Sequence, residues 1–453
     1  MNQTIAQVFQ EFSLGLYQPI VPRSLDLGEP LAPRAGNLVK AITGMRRSGK
    51  SYRLFQEMEL LHARGIPWER ICYFNFEDDR VAPVTPETGD AVLETYQYLH
   101  PNVDLTEGMY LFFDELQEMR DWGAWLRRIV DTRRATIYVT GSSSKMLSSE
   151  LATEFRGRAI EFQLFPYSFR ELVAQDQELS SHLDDPVQNE ARRVRLAHLL
   201  DDYLRQGGFP AVQGLPTAHA TALLQSYVQR VVARDVVERH DVARPRIASL
   251  LANRLMGLNA RQLSLRKVEG DLRAAGLGSG RRYLSDLVSY FEDAFLVFQV
   301  REISLSLSDR TTSMPKIYAV DPGLALACSR AGTSDLGQRL EGTIYLELRR
   351  RLPGSRRGSV SFYRTKQRRE VDFVVGDALD LAAFELIQVT ERMDDPATAE
   401  RETRALWEAL GETGLEEGLL IVGDGSETIY ENAGRRIRQV PAWKWLLGAS
   451  SAA

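Results

Sequence analysis

Eight consecutive residues, Gly44-Met45-Arg46-Arg47-Ser48-Gly49-Lys50-Ser51, constrain this chain more than any other stretch. They fit G-x-x-x-x-G-K-[ST], the phosphate-binding loop, at every fixed position. Gly44 and Gly49 allow backbone angles that residues with a Cβ avoid, so successive N–H groups can turn inward on an anion. Lys50 supplies a point charge for β- and γ-phosphates, and the Ser51 hydroxyl is a Mg²⁺ ligand. The flanks agree with this reading. Leu38–Thr43 is strand-like, and Tyr52–Leu61 is a helix whose N-terminus favours an anion. The competing reading is a chance match in a glycine-containing turn.

A second stretch, Met109-Tyr110-Leu111-Phe112-Phe113-Asp114-Glu115, is an apolar run closed by two carboxylates. Its length and β-prone residues make it a buried central strand. Asp114 then lies where parallel α/β sheets place ligands, and can hold Mg²⁺ directly or through water. Glu115 is the candidate general base. The alternative is a solvated acidic pair at a strand end. A third strand, Ala135–Thr140, ends in Gly141-Ser142-Ser143-Ser144. Ser142, with Ser143 in reserve, can reach the γ-phosphate or the attacking water; the alternative is a helix N-cap. Arg158, with Arg156 second, is a candidate arginine finger for a neighbouring subunit, or simply a surface arginine. The acidic turn Glu77-Asp78-Asp79-Arg80 is either a polar cluster near the metal or a solvated turn.

Residues 1–37 read as a short helix and an irregular, proline-containing lead-in. The lead-in could cover the base of a nucleotide. Residues 165–240 are mainly helical, broken by Gly207-Gly208-Phe209-Pro210, a tight turn. Such a turn either packs on an adenine, through Pro210, or joins two helices. From 246 to 304 the pattern changes. Ser264 caps a helix over 265–275 that Gly276 stops. A second helix starts near Gly280 with Leu284, Leu287, Val288 and Phe291 on one face. A wing strand follows over 294–300. Helix, turn, helix and hairpin together describe a winged helix, with Arg281 and Arg282 placed to touch phosphates.

Residues 315–445 form another α/β unit. It has a helix over 335–351 carrying Glu341 and Glu347, and strands over 359–364, 370–375, 384–390 and 418–422. A basic turn, Lys366-Gln367-Arg368-Arg369, precedes Asp372.

The 453 residues suggest ~3 domains. With 44% hydrophobic and 26% charged residues the composition is that of an ordinary globular protein. A formal net charge of -5 excludes a polycation, so any nucleic-acid binding must use local basic patches. Cys72 and Cys328 are too far apart in sequence for a disulfide framework or a metal motif, and a reduced cytoplasmic compartment is expected. No signal peptide and no membrane span is expected.

The chain resembles the bacterial and archaeal AAA-type ATPases that carry a C-terminal domain of uncharacterised role, related to the PD-(D/E)xK restriction-endonuclease-like fold. The resemblance rests on GMRRSGKS at 44–51, LFFDELQ at 111–117, TGSSS at 140–144, RGR at 156–158 and GGFP at 207–210. KIYAVDPGL at 316–324, GQRLEG at 337–342 and EVDFVV at 370–375 extend it over nearly the whole chain. It implies an α/β fold with a P-loop AAA core over 1–164 and a helical lid over 165–240. A winged helix over 241–312 and a nuclease-like domain over 313–453 follow. It also implies ATP, magnesium and an association with DNA.

One departure stands out. If Asp372 is the nuclease Asp and Glu341 the helix Glu, the next strand places Gln388 where a Glu belongs and Thr390 where a Lys belongs. Glu385, three residues earlier, faces the other side of the strand. The C-terminal domain is therefore expected to be catalytically degenerate, with Lys366, Arg368 and Arg369 left as a nucleic-acid surface. Three functions remain: a homo-oligomeric ring motor acting on duplex or branched DNA, a nucleotide switch acting on protein partners, or an ATP-gated nuclease.

Overall fold

The computed structural model describes residues 2–103, 107–142, 158–180, 183, 189–303, 313–329, 335–352, 360–377, 382–393 and 396–448. The fold is α/β, with a parallel five-stranded sheet followed by helices and a C-terminal mixed sheet. Two compact units are distinguished. One comprises residues 1–164 with 293–295, the other 165–292 with 296–453.

The first unit is built on β1 (Val39–Thr43), β2 (Ile71–Asn75), β3 (Met109–Asp114), β4 (Ala135–Gly141) and β5 (Ala159–Gln163). All five run parallel in the order β2-β3-β4-β1-β5. The apolar run of β3 is explained by burial on both faces. Met109, Leu111 and Phe113 point into one core with Val92, Trp125, Leu126 and Ile129. Tyr110 and Phe112 point into another with Leu54, Phe55, Met58 and Leu61 of the P-loop helix Lys50–Ala63. Phe112 stacks on Tyr138 of β4 with ring centroids 4.6 Å apart. The registers set the chemistry. Thr43 is level with Gly141, and Phe113 with Val139. Gly44, Thr140, Ser142 and the Asp114–Glu115 pair therefore leave the sheet along one edge.

The second unit opens with helices Phe169–Val173, Glu190–Gln206 and Thr217–Arg230, the last continuing as a π-helix over Val231–Glu238. Helices Leu265–Ala274 and Arg281–Asp293 fall where the periodicity places them, and the Ser264 hydroxyl caps the first by accepting from Lys267 N–H at 3.3 Å. β7 (Val297–Val300) follows them and pairs antiparallel with the next strand in the sequence, β8 (Lys316–Ala319), the centre of a three-stranded sheet β6-β8-β7 whose third member β6 is Arg261–Gln262. The stretch expected to open the C-terminal unit thus belongs to the preceding sheet.

The six-stranded sheet comprises β9 (Val360–Arg364), β10 (Glu370–Asp377), β11 (Ala382–Thr390), β12 (Glu417–Val422), β13 (Thr428–Asn432) and β14 (Arg435–Pro441). Their order is β13-β14-β12-β11-β10-β9, antiparallel through β9, β10 and β11 and parallel from β11 through β12 to β14. Its core gathers Val371, Val374, Leu386, Leu406, Leu410, Leu420 and Ile437.

Gly207-Gly208-Phe209-Pro210 has its partners inside this unit. The Gly208 N–H donates to Asp321 Oδ2 at 2.7 Å, and Asp321 also caps helix Pro322–Cys328 by accepting from Leu324 N–H at 2.8 Å. Gly207 has φ 77, and a Cβ there would fall 2.0 Å from Asp321 Oδ1. Burial raises the Asp321 carboxyl to a pKa of about 6 despite those donors. The turn is a clasp on Asp321. Gly207→Ala is expected to lower unfolding stability by about 1–3 kcal/mol, from backbone strain and the collision together. A urea midpoint equal to that of the parent chain would contradict this packing.

Candidate nucleotide site

Gly44 leaves β1 with φ 153, and a Cβ on it would lie 2.2 Å from the Leu164 carbonyl oxygen, so no side chain fits there. Arg47 (φ 70) and Gly49 (φ 100) also take left-handed angles, and Gly49 leads directly into the P-loop helix. The Arg23 guanidinium of the lead-in donates to the Ser48 carbonyl at 2.8 Å, fixing the loop from behind. Lys50 is buried. Its ammonium donates to Gly44 O at 3.2 Å and Met45 O at 3.5 Å, and meets Glu115 Oε1 at 3.2 Å. The Ser48 hydroxyl oxygen is buried and has no partner. The loop is a cradle of glycine-permitted backbone with one buried cation at its floor, which suits a polyphosphate.

Asp114 is fully buried at the end of β3. Its carboxylate accepts from Tyr73 OH at 2.9 Å, from the Thr140 hydroxyl, and from the Ser51 hydroxyl. Burial, then the Glu115 charge, raise its pKa; the three hydroxyl donors oppose them. Glu115 has left-handed angles (φ 49, ψ 46), which end the strand. Its N–H donates to Thr140 Oγ1 at 2.9 Å. Burial would raise the Glu115 carboxyl, but the charges of Lys50 and Arg46 and the amide of Gln117 hold it below the ordinary value. Glu115 is thus kept ionised, as a proton acceptor needs to be, beside a more protonatable Asp114. A hydroxyl and a carboxylate already hydrogen-bonded to one another, Ser51 and Asp114, are the hard oxygen donors that Mg²⁺ takes alongside phosphates and water.

Ser142, buried, follows β4 and accepts from Gln117 Nε2 at 3.2 Å, so it lies in this cluster. Ser143 and Arg156 lie outside the described residues. Arg158 does not join the cluster. It precedes β5, at the edge of the sheet opposite Gly44, and pairs with Asp131 at 2.5 Å. A finger role for Arg158 therefore needs a neighbouring subunit. The turn Glu77–Arg80 is split between the two earlier readings. Glu77 pairs with Arg46 of the P-loop at 2.7 Å, while Arg80 pairs with Asp78 and Glu11 on the surface. Three contributors were missed by sequence reasoning: Tyr73, Thr140 and Gln117. Only Gln117 carried a signal, its place two residues after Glu115. The other two become visible once β2 and β4 are known to flank β3.

A second polar cluster lies in the other unit. Lys316 of β8 is buried and meets Glu370 at 2.8 Å, Glu341 at 2.9 Å and Asp372 at 3.2 Å. Tyr318 OH donates to Glu341 at 2.7 Å. Gln388 accepts from Asp372 N–H at 3.2 Å and donates to Glu402 at 2.7 Å. Glu341, Asp372 and Gln388 therefore do converge. Thr390 carries no charge, and the cation of this cluster is Lys316, from a strand of a different sheet. Burial would lower the Lys316 pKa, but three carboxylates hold it above its ordinary value; burial raises Glu341, and burial with the Glu341 charge raises Asp372. Glu385 is exposed, on the other side of the strand as expected. The basic turn is partly neutralised. Arg369 pairs with Glu408, while at Lys366 the backbone N–H, not the ammonium, donates to Glu412 at 3.0 Å. Arg368 takes φ 64. Arg281 and Arg282 are exposed, and Arg281 is 3.5 Å from Glu269.

Residues 36–173 match the family described as an AAA domain, and residues 197–335 match a domain of unknown function, DUF8612. The N-terminal unit is thus an AAA-type P-loop domain. The chain belongs to the family of the uncharacterised protein MJ1544 of Methanocaldococcus jannaschii. It is 30% identical to that protein over 419 residues, spanning 91% of this chain and 88% of the relative. An uncharacterised protein of Haemophilus influenzae is 26% identical over 364 residues, 79% of this chain and 86% of that one. Among solved structures, a Walker-type ATPase of Pyrococcus abyssi is 14% identical, with a TM-score of 0.40, covering 72% of this chain and 95% of its own. The ORC2 protein of Aeropyrum pernix, solved in ADPNP–ADP complexes, is 14% identical with a TM-score of 0.36 over 72% and 91%. Scores this low carry no further weight. No helix among the described residues is long and apolar enough to cross a membrane.

Removing Lys316 would leave three carboxylates facing one another without a cation. Lys316→Met is expected to destabilise the second unit by about 3–5 kcal/mol, the cost of breaking a buried ion cluster from one side. A chemical denaturation curve that coincides with that of the unmutated chain would contradict the buried cluster.

Proposed function

We propose that this chain is an ATPase that binds ATP and Mg²⁺ at the P-loop of its AAA domain, hydrolyses the γ-phosphate, and couples turnover to DNA. The carrying observation is the convergence of Lys50, Ser51, Asp114, Glu115, Thr140 and Ser142 at one edge of the first sheet. The backbone from Gly44 to Lys50 holds the phosphates, and Lys50 takes the negative charge of the transferring group. Ser51 and Asp114 would hold Mg²⁺, which when bound neutralises phosphate oxygens. Glu115, kept ionised, accepts the proton of the attacking water. Thr140 ties the two acidic residues to the neighbouring strand, and Ser142 offers a hydroxyl to the γ-phosphate. Arg158, or Arg156, serves as a finger only from another subunit, so the proposal includes a homo-oligomer, with a ring as its simplest closed form.

For DNA, the support is local charge. Residues 264–282 contain five basic and two acidic side chains in a chain of net charge -5. Arg266, Lys267, Arg273, Arg281 and Arg282 are exposed on and between the helix pair Leu265–Ala274 and Arg281–Asp293, so this pair is proposed as the winged-helix contact. Lys366 and Arg368 extend the proposal to the turn before β10. Pro210 as a nucleotide contact and the domain limits at 164, 240 and 312 remain part of the same proposal.

Lys316 favours a second reading for the C-terminal cluster. With Glu341, Asp372 and Gln388 it supplies the carboxylates and the cation of a phosphodiester-cutting centre. Intact supercoiled DNA after incubation with Mg²⁺ or Mn²⁺ would remove that reading.

Glu115→Gln is expected to retain ATP binding and to slow phosphate release by ~10²-fold or more. Unchanged turnover in this variant would refute the assigned base. ATP turnover should rise with duplex or branched DNA, and binding should weaken steeply with salt. An ATPase rate indifferent to every DNA form, with no salt-sensitive binding, would leave the protein-directed switch in its place.

A further inference from the structure

We propose that Gln117 is the positioning residue that holds Glu115 on the attacking water once nucleotide has drawn Lys50 away. This rests on the ATPase reading above. Gln117 lies in a short 3-10 turn, Leu116–Glu118, that starts from the left-handed Glu115 and is closed by Glu118 N–H donating to Glu115 O at 3.0 Å. The turn brings the Gln117 side chain back over the residue it follows. Its Nε2 donates to Glu115 Oε2 and, at 3.2 Å, to Ser142 Oγ. The amide orientation follows from chemistry. An ionised carboxylate only accepts hydrogen bonds, so the NH₂ end must face Glu115. The oxygen end is then turned the other way, and Gln117 Oε1 is buried with no partner.

The two oxygens of Glu115 are held differently. Oε1 meets Lys50 at 3.2 Å, while Oε2 meets Gln117. A triphosphate in the cradle offers Lys50 far more negative charge than one carboxylate. When Lys50 turns to it, Oε1 is released and Gln117 is the remaining side-chain donor on the carboxylate. Glu115 keeps its aim, and Oε1 is open to water. In the chemical step the water oxygen bonds to the γ-phosphorus. The bond from that phosphorus to the β–γ bridging oxygen breaks, and ADP leaves with the electron pair. The water proton passes to Glu115. Gln117 also links Glu115 to Ser142, so base and hydroxyl are set by one side chain.

The test uses the full chain with Mg²⁺ and ATP. Gln117→Leu removes both polar ends, and the nearly isosteric Gln117→Met removes them while keeping the side chain's length. Equilibrium ATP binding and steady-state phosphate release are measured on both. Both variants should bind ATP as the parent does, with kcat lowered by about 10²-fold, the scale of a misplaced general base. Undiminished kcat in either variant overturns the role. So does a loss of ATP affinity that accounts for the whole loss of kcat/KM, since that marks a structural residue. The parent chain is the control for the underlying reading. A parent without turnover overturns the ATPase proposal itself, whereas an active parent with equally active variants overturns only the role of Gln117.

Discussion

Lys50 and Glu115 face each other at 3.2 Å, both nearly sealed from solvent, and the first sheet exists in the form that makes this pairing possible. One residue starts the helix after β1, the other ends β3, and β4 runs between those strands. The intervening strand has two effects. It separates the strand that leads into the cradle from the strand that ends in the acidic pair. It also inserts its own Thr140 and Ser142 into the gap. Buried charges are costly unless paired and hydrogen-bonded, and here each has its partner: Lys50 has Glu115, and Asp114 has three hydroxyls. The arrangement is poised rather than inert, because a polyphosphate in the loop would compete directly for Lys50.

The second unit follows the same rule with a different outcome. Asp321 is held by Gly208 and by its own helix, and Lys316 by three carboxylates. In each case one buried charged group joins segments distant in sequence. Glycine is required at 207 because Asp321 occupies the space a side chain would need, and at 208 because the Tyr167 backbone does.

Much of the first sheet was legible in the sequence. The glycine spacing of the loop, the apolar run before Asp114 and the strand before Ser142 each specify a local structure, and each formed where expected. Glu115 and Ser142 were named as candidates because motif and strand end coincide. Thr140, Tyr73 and Lys316 were not, for one physical reason: their roles depend on which strands lie side by side. Thr140 looks like an interior strand residue until β4 is known to neighbour β3. Lys316 stands 56 positions from Asp372 and on another sheet, so no spacing rule links them. Thr390 carries no charge, and the cation of that cluster comes instead from Lys316, on another strand.

The most direct measurement is a structure of the chain with Mg²⁺ and a non-hydrolysable ATP analogue. The expected result is the triphosphate in the Gly44–Ser51 loop, Lys50 on its phosphates, Ser51 and Asp114 at the metal, and Glu115 released from Lys50 toward the γ-phosphate. An analogue bound elsewhere, or Lys50 still paired with Glu115 while the loop holds nucleotide, would contradict the role given to that pair.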